Sequence, residues 1–166
     1  MTPREELLER YANGKRGFIG VDLQGADLQG VSLEGVLLWQ ANLAGVNLAQ
    51  ADLKNTHLFA NLSHANLVSA DLTNARLIYA DLSHADLTEA KLFKAILKGA
   101  DLRGANLTGT KFVYADLSDA DLRGANLKGC IFYKSNLHHT NLQDTDLTEV
   151  LLLGTELYYA ILSENN

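Results

Sequence analysis

The chain is poor in the residues that interrupt or staple a fold. Pro3 is its one proline and Cys130 its one cysteine. A single cysteine excludes an internal disulfide and a cysteine-based zinc finger. Without a second proline no proline-rich linker divides the chain, so residues 1–166 are expected to form a single domain. No apolar run approaches the ~20 residues of a membrane span. Residues 1–16 are charged and polar and do not resemble a secretory signal, so a cytoplasmic protein is expected. There is no basic excess. Fourteen Lys and Arg face twenty Asp and Glu, and the net charge of −6 disfavours direct nucleic-acid binding. Phosphate-binding GxxxxGK[ST], GxSxG and HExxH signatures are absent as well.

What the chain has in abundance is a five-residue beat. Its unit reads Ala-(Asp/Asn)-Leu-x-x, and residues 100–109 show two units in full. With the Leu or Phe centre labelled i, centres fall at every fifth position from 18 to 58 and again from 62 to 162. Phe18, Phe112 and Phe132 are the centres that are not Leu. Position i−2 is mostly Ala, i−1 mostly Asp or Asn, and eleven of the thirteen glycines sit at i+2. A period of five matches neither a helix nor a strand. Read helically, successive centres would advance by ~140° and leave no single buried stripe. Each unit is therefore expected to be a short extended segment followed by a turn. Glycine at i+2 supplies the positive φ of such a turn, and the Asp or Asn side chain bonds nearby backbone. Leu at i and the small residue at i−2 then point inward.

The outward positions give the number of sides. Large apolar residues at i+1 recur at intervals of 20: Ile19, Trp39 and Phe59, then Phe93, Val113, Tyr133 and Leu153. Phe112 and Phe132 repeat the interval at the centre. Four units of five make one coil of that length. Between Leu58 and Leu62 one residue is missing, at Phe59-Ala60. The first apolar column runs on to Ile78 if that coil has nineteen residues, so a tightened corner with four sides kept is expected.

On this repeat the chain resembles the pentapeptide-repeat family over about nine-tenths of its length. The resemblance implies an all-β solenoid, a right-handed quadrilateral β-helix of about seven and a half coils. At ~4.8 Å per coil the rod would be roughly 36 Å long. The β-helix is expected over residues 16–164. A short N-terminal capping α-helix is expected over residues 2–13, with Thr2 as N-cap, Pro3 at N1, Glu5 and Glu6 on the helix dipole and Gly14 as the stop. Leu7, Leu8 and Tyr11 would lie over the first coil.

Neither catalysis nor a cofactor is expected. Asp81, Asp101 and Asp121 form a column that the repeat itself requires, with Arg103 and Arg123 beside it. His64 and His84 stand one coil apart without further ligands, so no metal site is expected, and Cys130 fills an Ala slot. Two outward apolar columns are more informative. The first holds Ile19, Trp39, Phe59 and Ile78, with Leu37 beside them. The second holds Phe93, Val113, Tyr133 and Leu153, with Ile131 and Leu151 at i−1 and Lys91, Lys94, Lys111 and Lys134 at its border. Stacked aromatics can stabilise a sheet face on their own; an exposed apolar patch of this kind also suits a protein partner. A third apolar group, Tyr158, Tyr159, Ile161 and Leu162, marks the C-terminal coil as a surface for a homodimer. The expected function is a non-enzymatic, rod-like interaction scaffold. The resemblance also implies an alternative, a DNA-mimicking inhibitor or protector of the type II topoisomerase DNA gyrase. That branch of the family has a strongly negative surface, which the lysines at 91 and 111 interrupt here.

Overall fold

Most of the five-residue units solve the same local problem in the same way. In the unit centred on Leu23, the Ala26 amide donates to the Leu23 carbonyl at 3.0 Å, which closes a β-turn. Gly25 stands at the third turn position with φ +63°, the left-handed value that a type II turn demands. The Asp22 carboxylate accepts the Gln24 amide at 3.1 Å and braces the approach to the turn. The computed structural model describes residues 1–163 in these terms. The last position of the expected β-helix span, 164, lies outside the described residues.

Turns of this kind fold the chain into a tube of four sides. Asp22 pairs with Asn42, Asp27 with Asn47, Ser32 with Asp52 and Leu37 with His57, all parallel and all twenty residues apart. Each pairing carries alternating bonds: Leu23 donates to the Asn42 carbonyl at 2.8 Å and Asn42 to the Val21 carbonyl at 2.9 Å. Across the missing residue the interval drops to nineteen on every side, from Asn42 with Asn61 to His57 with Arg76, and then returns to twenty. The coil therefore keeps four sides and loses one corner residue at Ala60. We number the sides by their first centres, Phe18, Leu23, Leu28 and Leu33.

The interior is built mostly of buried Leu, Ala and Phe. Among the centres, Leu28, Leu48, Leu67, Leu87 and Leu107 on side three are 0–1% exposed, with buried Ala or Val at i−2 beside most of them. Burying one Leu is worth roughly 1.5–3 kcal/mol, so a ladder of them offsets the entropy of ordering a long, non-local chain. On side four Phe112 and Phe132 replace Leu and stack at 4.8 Å with 2° between their planes. Their units open out into regular strands. Strands β1 (Lys111–Val113), β2 (Ile131–Tyr133) and β4 (Leu151–Leu153) form a parallel three-stranded sheet. On side two β3 (Asn141–Leu142) pairs with β5 (Ile161–Leu162).

Helix α1 (Pro3–Ala12) closes the N-terminal end. Thr2 and Glu5 form a reciprocal capping box at 3.2 and 2.8 Å. At the other end Lys15 donates to the Arg10 carbonyl and Gly14 to that of Tyr11, with Gly14 at φ +84°. That is a Schellman stop. Leu7 is buried against the first coil, Leu8 and Tyr11 pack beside it, and the Tyr11 hydroxyl donates to the Glu34 carbonyl at 3.0 Å.

Candidate interaction surfaces

Because the turns fix which positions face outward, the outer side chains form straight columns. On side one Trp39 meets Phe59 edge to face at 5.9 Å, and His57 stacks on Trp39 at 6.4 Å. Burial pushes the His57 pKa down, and the Arg76 guanidinium adds to the shift. Trp39 and Ile19 are exposed, whereas Phe59, Ile78 and Leu37 are half-buried. This column tops a notch at Ala60, where the tightened corner lacks an i+2 residue. Tyr79, an i+2 residue, hangs beside the notch and is 73% exposed.

On side four the second column acquires a member from the adjoining i+2 position. Tyr114 sits edge to face with Phe93 at 5.9 Å and with Tyr133 at 5.7 Å. Lys94 Nζ lies 5.2 Å from the Phe93 ring, and Lys134 Nζ 5.4 Å from that of Tyr133. The register places Lys111, Ile131 and Leu151 in one line and Val113, Tyr133 and Leu153 in the next. Phe93, Leu151 and Leu153 are exposed; Val113, Ile131 and Tyr133 are half-buried. The i+2 aromatics Tyr79 and Tyr114 are legible in the sequence, but glycine is the commonest residue at that position and marks it as turn.

The C-terminal group is open. Tyr158 and Tyr159 are 65% and 79% exposed, Ile161 48% and Leu162 41%. Above them His138 packs on Tyr158 and His139 stacks on Tyr159, both at 5.0 Å. The centres Leu147, Leu152 and Leu157 are only half-buried, unlike those higher in the tube.

The acidic columns are occupied with structure. Asp81 and Asp86 accept from the hydroxyl and amide of Ser83 and Thr88. Arg103 holds Asp101 in a two-point ion pair, with side-chain bonds at 2.6–3.1 Å that set the Asp101 pKa below the usual carboxylate range. For Asp121, partial burial pulls the pKa up, but the side-chain and backbone bonds from Arg123 outweigh it and the net shift is down. His64 and His84 stack at 5.2 Å; among the described residues no cluster of three or more His, Cys, Asp or Glu is arranged to hold a metal ion. Cys130 is buried, its Sγ bonded to the Leu107 carbonyl at 2.9 Å, and burial pushes its pKa up to about 12. No helix among the described residues is long and apolar enough to cross a membrane.

The sequence profile of pentapeptide repeats matches in eight copies, over residues 18–58, 59–92, 85–124, 115–154 and 130–164. The chain belongs to the pentapeptide-repeat family. No curated protein matches it. Among solved structures, this pentapeptide-repeat protein is similar to HetL from the cyanobacterium Nostoc sp. strain PCC 7120, a protein involved in heterocyst differentiation regulation. Identity there is 29%, over 98% of both chains, with a TM-score of 0.47. It is also similar to Rfr23 from the cyanobacterium Cyanothece 51142, at 25% identity over 98% of this chain and 97% of that one, TM-score 0.31. QnrB1, a plasmid-mediated fluoroquinolone resistance protein, is 18% identical over 89% of this chain and 92% of that one, TM-score 0.47.

Proposed function

We propose that this pentapeptide-repeat protein is a non-enzymatic cytoplasmic scaffold that binds a protein partner through its outer apolar columns. One observation carries the reading. Large apolar side chains that a solvated sheet does not need stand in register on sides one and four, over a core already filled by Leu, Ala and Phe. Among the described residues buried Leu and Ala fill the interior of the tube, so the chemistry of recognition falls to the outer faces. The test is affinity capture with the wild type and with a Trp39→Ser, Tyr133→Ser variant of unchanged thermal stability. Loss of specific partners from the variant is expected; an identical partner set from both would remove the columns from the function.

The exposed Tyr158, Tyr159, Ile161 and Leu162 support a contact between two copies at the C-terminal coil. Sedimentation is expected to show a dimer that Tyr159→Glu with Leu162→Glu converts to monomer. A wild type that stays monomeric at high concentration would overturn the contact. A DNA mimic that inhibits or protects gyrase needs unbroken acidic faces. Here Lys54, Lys98, Arg103, Arg123 and Lys128 neutralise carboxylates in ion pairs. The expectation is therefore no effect on gyrase supercoiling.

A further inference from the structure

The charge balance of the rod is inverted on the lower half of side four. Lys91, Lys94, Lys111 and Lys134 all project there. None of the four forms an ion pair with a carboxylate of the described residues, whereas Lys54, Lys98 and Lys128 each do. Lys91 and Lys111 are bridge partners in adjacent coils, so two like charges stand directly opposite each other, an arrangement that destabilises a sheet. The next acid along that column, Asp71, is engaged with Thr73 and Lys54. Lys94 and Lys134 are held over aromatic rings by cation–π contact rather than by a counter-charge. Four cations without an ion pair make this face locally positive on a chain of net charge −6 and suit an anionic partner.

The same face ends in an apolar seat. Leu151 and Leu153 are 46% and 49% exposed on β4, and Ile131 lies directly above Leu151. Cations toward one end and aliphatic side chains toward the other match a ligand that is acidic in one part and apolar in the next.

We propose that this face binds an acidic peptide segment of a partner protein that carries aliphatic anchors. The proposal rests on the scaffold reading and names the chemistry of its partner. Carboxylates seat on the four lysines, and the anchors cover Ile131, Leu151 and Leu153. Two features disfavour a single-stranded nucleic acid. Its bases need free ring faces to stack on, and here Phe93, Tyr114 and Tyr133 lie edge to face at 89° and 84° with lysine ammonium groups over them. A long polyanion also meets the net negative charge of the rest of the rod.

The experiment is fluorescence anisotropy with a short labelled peptide that alternates Glu and Leu. Its companions are a Glu peptide without apolar residues, a Lys–Leu peptide, oligo-dT and vesicles of anionic lipid. The Glu–Leu peptide is expected to bind in preference to all four companions. Changing Lys91, Lys94, Lys111 and Lys134 to Gln is expected to weaken it by about tenfold, since each exposed charge pair contributes only modestly. Added salt is expected to act in the same direction. Leu151→Ser with Leu153→Ser is expected to weaken it without changing the salt dependence. A control with Lys98 and Lys128 changed to Gln is expected to bind as the wild type does. All variants are compared at matched thermal stability. No binding of the Glu–Leu peptide, equal binding by the lysine variant, or tighter binding of oligo-dT or vesicles would each overturn the proposal. Failure here with a partner set still lost by the Trp39→Ser, Tyr133→Ser variant would leave the scaffold standing and refute only the acidic ligand.

Discussion

Replacing Ser135 by Ala is expected to be more harmful than its size suggests. In the ordinary unit the carbonyl of the centre accepts the turn amide, as Leu117 accepts from Ala120 at 3.0 Å. The buried Thr140 hydroxyl then adds a second bond to that carbonyl at 2.9 Å. In the unit centred on Phe112 the turn opens, and the Ser135 hydroxyl stands in its place. It donates to the Phe112 carbonyl at 2.6 Å and accepts the Ala115 amide at 3.3 Å. Ser135 is 1% exposed and Thr140 0%, so water does not substitute easily at either. Thr140→Val removes one bond to a carbonyl that keeps its turn partner, at a cost of about 1 kcal/mol. Ser135→Ala leaves the buried Ala115 amide without its acceptor, at about 1–3 kcal/mol, and takes one bond from the Phe112 carbonyl, which keeps the Tyr133 amide of the ladder, at about 1 kcal/mol, so about 2–4 kcal/mol in all. For a chain of this size 1 kcal/mol moves Tm by roughly 2–4 °C. The two variants should therefore melt several degrees apart in a circular-dichroism scan, with hydrogen exchange of the Ala115 amide accelerated in Ser135→Ala alone. Equal melting of the two, or a milder Ser135→Ala, would refute the bridging role.

Three further outcomes follow from the same geometry. Gly104 and Gly124 share φ near +65°, so Ala at either carries the left-handed penalty of roughly 1–2 kcal/mol; at Gly104 the new Cβ also falls 2.7 Å from His84 Nδ1. Gly104→Ala should be the more destabilising in urea unfolding, and the excess should vanish in a His84→Ala background; equal costs would contradict the stacked i+2 column. The depressed pKa values of Asp101 and Asp121 contribute stability that is present above their unfolded value of about 3.9 and is lost as pH falls through the lower folded values. Below about pH 4 the wild type should lose stability more steeply than Arg103→Gln, Arg123→Gln; identical acid limbs would show that the pairs contribute nothing. Cys130, buried and pushed up to about 12, should resist thiol reagents until the protein unfolds; rapid native modification would place it at the surface.

The sequence carried the scaffold of this molecule in its spacing. Leucine every fifth residue, glycine two later and aromatics every twentieth left one arrangement in which Trp39 meets Phe59 edge to face and Phe112 stacks on Phe132. The helix at Pro3 was legible because its capping box and its glycine stop are local signals. What stayed hidden depends on where side chains reach. Lys98 is paired with Asp119, twenty-one residues on, while Lys94 beside it is not paired, and column positions alone do not separate the two. Ser135 occupies an Ala slot and reads as filler until the opened turn above it is seen. Tyr114 falls at a turn position, so its place between Phe93 and Tyr133 emerges only once the chain has coiled.

Every outer column depends on a coil of four sides. Disulfide formation between cysteines placed at Ser63 and Ser83 reads that directly, because their units are bridge-paired through Asn61 and Asp81, twenty residues apart. Stacked positions in adjacent coils bring Cα atoms within the ~4.4–6.8 Å a disulfide requires, and buried Cys130 does not compete. The pair Ser63→Cys, Ser83→Cys should oxidise readily in the folded protein, while Ser63→Cys, Ile78→Cys should not. Cross-linking of the second pair in preference to the first would mean a three-sided coil, and with it the columns on sides one and four would dissolve.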